Sequence, residues 1–380
     1  MLDQKKVFET LADHGITYFA GVPDSYLNGF CNYALAHCGD RNVITANEGN
    51  AVALAAGHYF ASREVPLVYM QNSGEGNAVN PLASLAENRV YAVPMLLLIG
   101  WRGQVIDGRN SEPKHPQHHL QGEITATLMD VMRIPYTVLT DDDGFFAETV
   151  SKAAAFCAEQ RRPYALIAPK GVMADPDKPN NVDDLYPMSR EEAIEAVLDH
   201  MPEDTIYSAT TGRATRELFF LRERRGEGHE KDFLNVGSMG HASSVALGMA
   251  LAKPDRRVVA LDGDSACMMH MGAMTMVSKV SAPNFLHVVL NNGAHESVGG
   301  QPSAGHLVDL TKIAEGCGYA TVGHAITTRE ELVEALGELG GGDRAGFLDV
   351  RVHKGLRGKL PPLDFDHREA IDALIRTLNG

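Results

Sequence analysis

The chain has 380 residues, 44% of them hydrophobic and 22% charged, with 37 Gly and 18 Pro, a globular composition that excludes disordered and fibrous classes and has room for two α/β domains at about 100–200 residues each. Thirty-four basic against 49 acidic side chains leave −15 at pH 7, which repels nucleic-acid phosphates and anionic membrane surfaces, so no nucleic acid and no membrane partner is expected. The longest apolar stretch, 93–101, is far short of the roughly 20 residues of a membrane span. The first six residues lead into no apolar signal core, and the five cysteines contain no Cys-x-x-Cys pair, so they read as reduced, buried thiols of a cytoplasmic protein.

In chain order, Val7, Leu11 and Ala12 predict a helix over 2–14, stopped by Gly15 and followed by a strand over 16–20 that enters the loop Gly21-Val22-Pro23-Asp24-Ser25. A strand over 43–45, an Ala-rich helix over 51–60, strands over 67–70 and 94–99, a helix over 145–160 and a strand over 164–168 complete the first half. The acidic, Pro-bearing stretch 174–184 reads as an exposed linker, which sets domains at 1–175 and 189–380 with a linker at 176–188. Ser189-Arg190-Glu191-Glu192 is a capping box opening the second half. There, strands over 205–208, 257–261, 286–290 and 347–352 alternate with helices over 243–251, 271–280, 329–336 and from His367. The charged run 222–232 reads as a solvated loop. Strands separated by helices imply parallel sheets covered on both faces, hence an α/β chain of two doubly wound domains.

The strongest motif is the apolar strand before Asp262-Gly263-Asp264-Ser265, followed by Leu290-Asn291-Asn292-Gly293-Ala294, with Asp264 and Asn292 28 residues apart. That spacing places an Asp and an Asn at the carboxyl ends of neighbouring parallel strands, where such sheets bind ligands, and both offer the oxygen that Mg²⁺ prefers. Glu48 heads an Ala/Gly-rich helix, where first-turn charge is favourable in any case. The Gly-rich run Asn235-Val236-Gly237-Ser238-Met239-Gly240 opens another helix and suits a diphosphate. Thr210-Thr211-Gly212 after a strand is a second diphosphate candidate.

These motifs resemble the thiamin-diphosphate enzymes, whose signature is Gly-Asp-Gly, just under thirty residues, then Asn-Asn; Ser265 stands where the last Gly is usual. The resemblance implies a pyrimidine-binding and a diphosphate-binding domain with no middle domain, and Mg²⁺ held by Asp264, Asn292 and the backbone carbonyl of Ala294. It implies that Glu48 hydrogen-bonds N1′ of the aminopyrimidine and so activates the cofactor, with further cofactor contacts at Asn72, Thr211 and Gly212. Gly263, Ser265 and Ala266 would meet it from the Asp264 turn, and Gly237, Ser238 and Met239 from the Gly-rich run, with Met239 as the wedge that bends the cofactor. A homo-oligomer, at least a dimer with its active site between subunits, is also implied.

The loops Gly21 to Ser25, Asn72-Ser73-Gly74-Glu75-Gly76-Asn77, Gly100 to Gly103, Gln117 to Gly122 and Asn291 to Pro302 look like those of phosphonopyruvate decarboxylases, with sulfopyruvate decarboxylases sharing part of the set, across nearly the whole chain. The resemblance implies decarboxylation of 3-phosphonopyruvate, a small anionic 2-oxo acid, to phosphonoacetaldehyde and CO2 in phosphonate biosynthesis, with sulfopyruvate or carboligation on another anionic 2-oxo acid as alternatives. A nucleotide-binding regulatory protein on the same architecture is the reading from another class. Asp24, Ser25, His118, Gln121 and His295 are the candidates for substrate contact and proton movement. Ser297 and the amides of Gly299 and Gly300 are candidates for the phosphonate, and Arg102 is a further anion-binding candidate. Lys114-His115 replaces an expected acidic pair, read either as a specificity change or as surface drift. Pro116 and the lack of a nearby fourth ligand argue against a metal cluster at His115, His118 and His119.

Overall fold

Successive residues of a strand point to opposite faces, so a strand apolar at every position must be buried on both sides. The computed structural model, which describes residues 1–173, 185–355, 360, 363 and 365–380, divides into units Met1–Pro179 and Asn180–Gly380. The linker expected over 176–188 falls largely on 174–184, outside the described residues.

The N-terminal unit runs α1 (Gln4–Asp13), β1 (Phe19–Gly21), α2 (Asn28–His37), β2 (Asn42–Ile44), α3 (Glu48–Ser62), β3 (Leu67–Gln71), α4 (Glu75–Pro81) and β4 (Leu96–Gly100). A short ribbon of β5 (Val105–Ile106) and β6 (Arg109–Asn110) follows, then α5 (His119–Val131), β7 (Tyr136–Val138), α6 (Asp143–Gln160) and β8 (Tyr164–Ala168). Its six-stranded parallel sheet has the order β2-β1-β3-β4-β8-β7. Leu67, Tyr69, Leu96 and Leu98 face one apolar layer, while Val68, Met70, Leu97 and Ile99 face the other, where α3 presents Ala51, Val52, Ala55 and Ala56. Small side chains on α3 let the helix lie close against the sheet.

The C-terminal unit begins at α7 (Arg190–His200), whose capping box of Ser189 and Glu192 is formed. It continues through β9 (Ile206–Ala209), α8 (Arg213–Arg225), β10 (Asp232–Leu234), α9 (Ala242–Ala252), β11 (Val258–Gly263), α10 (Asp264–Met269) and β12 (Phe285–Asn291). The hairpin of β13 (Ala294–His295) and β14 (Gln301–Pro302), then α11 (Leu310–Gly316), α12 (Arg329–Leu339), β15 (Gly346–Arg351) and α13 (His367–Asn379) complete it. The sheet is parallel, ordered β10-β9-β11-β12-β15. In the C-terminal sheet the chain reverses its direction of travel between β9 and β11, and in the N-terminal sheet between β1 and β3 and again where β8 returns between β4 and β7. The crevice at the carboxyl ends of such strands is where doubly wound sheets bind ligands. No helix among the described residues is long and apolar enough to cross a membrane.

Two expectations are corrected. The helix over 271–280 is a 3₁₀ stretch, Met271–Lys279, because the hydroxyls of Thr275 and Ser278 bond back to the carbonyls three residues earlier, at 2.8 and 2.7 Å, and compete with the α ladder. The run 222–232 is a solvated loop only over 226–231, for its first four residues belong to α8 and Asp232 opens β10. Arg222, in the last turn of α8, makes a two-pronged bond to Asp232 at 3.1 and 3.0 Å and lies over the Tyr207 ring at 5.1 Å; both charges are buried.

Replacing Arg222 by Ala strands a buried carboxylate and is expected to lower stability by about 3–5 kcal/mol, read as a fall in Tm of the full chain. A solvated-loop position would lose no more than about 0.5 kcal/mol.

Candidate active site

At the crevice of the C-terminal unit, Thr210, Thr211 and Gly212 follow β9, and Asp264 and Ser265 follow β11. The two turns are neighbours, for a side chain at Gly263 would stand 3.9 Å from the Thr210 methyl. Thr210 Oγ1 and Ser265 Oγ are buried and have no hydrogen-bond partner among the described residues. An orphaned buried hydroxyl costs about 1–3 kcal/mol, so two together at a strand-end crevice suit a ligand rich in acceptor oxygens. Gly212 has φ +103°, and a side chain there would stand 3.7 Å from Ser297, which brings Thr211, Gly212 and Ser297 to one place.

β11 and β12 pair with Gly263 opposite Leu290, so Asp264 and Asn292 leave adjacent strands at nearly the same level. Asp264 is buried, and burial pushes its carboxyl up to about 6 against the opposing pull of the Ser303 hydroxyl and the Ser265 amide. The Ser303 hydroxyl donates to Asp264 Oδ2. At Gly305 any side chain would collide with Asp264 and Asn291, so the 303–305 segment closes directly over the carboxylate. Asn291 ties the turn to its surroundings: its Nδ2 donates to Gly305 O and Asp349 Oδ1, both at 2.9 Å, and its Oδ1 accepts from the Gly293 amide at 3.2 Å. Asn292 donates from Nδ2 to Glu296 Oε2 at 2.9 Å and accepts at Oδ1 from the Ala294 amide at 3.1 Å. Behind the turn, Asp262 accepts from Gly263 N at 2.9 Å and pairs with buried His287 at 3.1 Å.

The Gly237-Ser238-Met239 run turns sharply, with Ser238 at φ +45°, and Asn235 Oδ1 holds the Gly237 amide at 3.1 Å. Gly240 packs against Ala266 O and the His270 ring, which seats the run beside α10. The hairpin β13–β14 presents His295, whose imidazole is lowered by burial to about 4, and exposed Ser297. The amide of Gly300 already donates to His295 O at 3.0 Å. Of the proposed phosphonate group, this removes Gly300, because one N–H serves one strong acceptor.

In the N-terminal unit the candidates gather where β1, β3 and β4 end. Glu48 is the first residue of α3, capped by Asn47, whose side chain accepts from Asn50 N at 2.9 Å. Its carboxyl is raised by burial, opposed by Asn77, which donates to Oε2 at 2.7 Å. The carboxylate lies so close over Gly74 that no other residue fits there. Asp24 is fully buried, with Oδ1 unpartnered among the described residues. Burial moves its carboxyl up to about 6, countered by the Arg102 charge and the Tyr26 and Ser25 amides. Half-buried Ser25 lies beside it.

Gln117 to Gly122, expected as a loop, is a 3₁₀ turn running into α5. His118 and Gln121 therefore sit one turn apart and bond Nδ1 to Oε1 at 3.3 Å. His118 is held well below the ordinary histidine range by burial and by Arg102. Arg102 is no free anion binder, for Glu112 takes its guanidinium at 3.1 and 2.6 Å. Asn72 spends its amide on Arg102 O, Thr125 Oγ1 and Arg102 N, at 2.9, 3.0 and 3.2 Å, and so anchors a loop from within the unit. Lys114 and His115 are exposed.

Sequence reasoning passed over two residues. Glu296 joins the Asn292 amide to Arg190 at 2.8 Å. Glu75, at the head of α4, is 4% exposed with Oε1 unpartnered among the described residues; a first-turn acid looks like ordinary helix-dipole placement, so no sequence signal marks it.

Residues 4–130 match the family described as thiamine pyrophosphate enzyme, N-terminal TPP binding domain, and residues 215–350 match its C-terminal TPP binding domain. The chain is 35% identical to a phosphonopyruvate decarboxylase of Streptomyces viridochromogenes over 85% of its own length and 81% of the relative's. It is 32% identical to one of Streptomyces hygroscopicus over 88% and 84%, and 25% identical to a sulfopyruvate decarboxylase of Methanosarcina acetivorans over 99% and 97%.

Burial raises the Glu75 carboxyl from 4.5 to about 8. Its stabilising contribution is therefore complete below about pH 4.5 and is lost as pH rises through about 8. Glu75→Gln is expected to flatten this decline, with an advantage over the wild type at pH 9 on the order of 3 kcal/mol relative to pH 5. Parallel Tm profiles for the two proteins over pH 5–9 would contradict the assignment.

Proposed function

The chain belongs to the thiamine pyrophosphate enzymes, in the group that holds the phosphonopyruvate decarboxylases, and on that footing we propose that it decarboxylates 3-phosphonopyruvate to phosphonoacetaldehyde and CO2 with thiamin diphosphate and Mg²⁺ bound. The observation that carries the proposal is the strand-end cluster of the C-terminal unit: two buried hydroxyls and a buried carboxylate that, among the described residues, have no hydrogen-bond partner and no cation respectively. That donor set fits a diphosphate bridged to a divalent metal. Higher identity, 35% and 32% against 25%, favours the phosphonate over the sulfonate substrate.

In this reading Asp264, Asn292 and the Ala294 carbonyl would hold Mg²⁺, an all-oxygen set of the kind the ion takes. Thr210, Ser265, Thr211 and Gly212 would hold the diphosphate, and the Gly237–Met239 run the aminopyrimidine. The turn residues Gly263 and Ala266 would line the same end. Bound there, thiamin diphosphate supplies a nucleophilic carbon and an acceptor for the electron pair that the departing CO2 leaves behind.

Glu48 holds a proton for the aminopyrimidine: burial raises its carboxyl above the usual carboxylate range against the pull of the Asn77 amide, which favours the protonated form that acid–base work needs. His118 and His295 are neutral imidazoles at pH 7 because burial opposes their charge. They therefore orient the substrate carboxylate and keto oxygen by hydrogen bonds and do not act as cationic acids. Asp24, near 6, is the proton donor to the carbon that loses CO2, with Ser25 and Gln121 positioning the substrate. Ser297, with Gly299, is retained for the phosphonate. An assembly of at least two copies is part of the proposal, and an active monomer by light scattering at assay concentration would contradict it.

The experiment gives the purified protein, with thiamin diphosphate and Mg²⁺, phosphonopyruvate and sulfopyruvate in parallel, following CO2 and identifying the product by mass. The expected result is kcat/KM at least about tenfold higher for phosphonopyruvate, a difference of about 1.4 kcal/mol in transition-state binding. Preference for sulfopyruvate, or a condensed product in place of the aldehyde, would overturn the substrate or the reaction respectively.

A further inference from the structure

A side-chain amide has a donor end and an acceptor end, and a metal can use only the acceptor. We infer that Glu296 is the positioning residue that fixes which end of Asn292 faces the metal; the inference rests on the proposed role of Asn292 as a metal ligand. Nδ2 of Asn292 lies 2.9 Å from Glu296 Oε2, and Oδ1 lies 3.1 Å from the Ala294 amide nitrogen. Turning the amide over would set oxygen against carboxylate and NH2 against N–H, so both contacts fix one orientation. In that orientation Oδ1 keeps a second lone pair for a cation.

Glu296 is itself locked. Its Oε2 also takes Arg190 Nη1 at 2.8 Å, its Oε1 takes the Gly355 amide at 2.7 Å, and Arg213 Nη2 donates to its backbone carbonyl at 3.1 Å. Arg190 is shared with Glu217 through bonds of 2.6 and 2.9 Å. Arg190 at the start of α7 thus joins Glu217 of α8 to Glu296, and of these three it is Glu296 that bonds Asn292 in the turn after β12. Breaking a buried ion pair destabilises any fold, so stability alone does not separate positioning from scaffolding. Glu217 supplies the comparison, because it grips the same arginine and does not touch Asn292.

The test measures Mn²⁺ affinity by electron paramagnetic resonance on the full chain with saturating thiamin diphosphate, beside thermal melting. Glu296→Gln is expected to raise the Mn²⁺ Kd by about 10–100-fold, the usual effect of removing a group that orients a ligand. Glu217→Gln is expected to lower Tm by a similar amount while changing that Kd less than about threefold. Should Glu296→Gln fail to fold, Glu296→Asp keeps the charge but withdraws it from the amide and is expected to raise Kd by about tenfold. Equal weakening in the Glu217 and Glu296 variants, or unchanged affinity in the Glu296 variant beside a weakened Asp264→Asn, overturns the inference alone. Wild-type affinity in Asp264→Asn overturns the metal reading beneath it.

Discussion

A carboxylate removed from water costs several kcal/mol unless a cation or a set of donors answers its charge. Asp264 is 3% exposed and, among the described residues, faces no cation and keeps only the Ser303 hydroxyl and nearby backbone amides. The C-terminal unit is arranged around that deficit. β11 and β12 end side by side, the 303–305 segment passes over the carboxylate with a glycine where a side chain would collide, and the buried hydroxyls of Thr210 and Ser265 stand near it without partners. An apolar core alone would favour none of these features. A bound divalent ion and diphosphate would satisfy all of them together, and the binding free energy of such a ligand would then add to the stability of the folded unit.

The N-terminal unit applies the same constraint to different chemistry. Glu48, Asp24 and Glu75 are all buried carboxyls raised above their ordinary range. Among the described residues only Asp24 of the three has a cation in its field, Arg102, and that cation is already engaged by Glu112. A carboxyl raised in this way holds a proton more readily than a solvated carboxylate does. The surrounding polar side chains, Asn72 and Asn77 among them, are spent on holding loops and carboxylates in place. The site's precision thus comes from strand ends and helix starts, with loop geometry fixed by buried amides.

Much of this was legible in the sequence because parallel sheets demand uninterrupted apolar strands: Tyr164–Ala168 and the strands ending near Gln71, Gly100, Gly263 and Asn291 stand where their apolar runs do. The placing of Asp264 and Asn292 after neighbouring strands was readable from spacing, whereas Glu48 at the head of an Ala-rich helix drew notice only through the family resemblance. The helices α2, α5 and α8 were not, since their faces mix Gly, Asn, His or Arg with apolar residues and lack a clear period. Arg222 and Asp232 looked solvated because a charge run gives no hint that two of its members meet in a bidentate bond below the surface. Glu296, Arg102 and Gly300 were misjudged or passed over for one reason: which hydrogen bonds a polar group has already made is set by distant partners, such as Arg190 for Glu296, and not by its neighbours in the chain.

The most direct measurement is on Glu48→Gln, comparing thiamin diphosphate binding in the presence of Mg²⁺ with turnover of phosphonopyruvate. The account predicts cofactor affinity within about threefold of the wild type and a fall in kcat of about 10²–10⁴, the scale of a lost acid–base group. Near-normal turnover by the variant would contradict it.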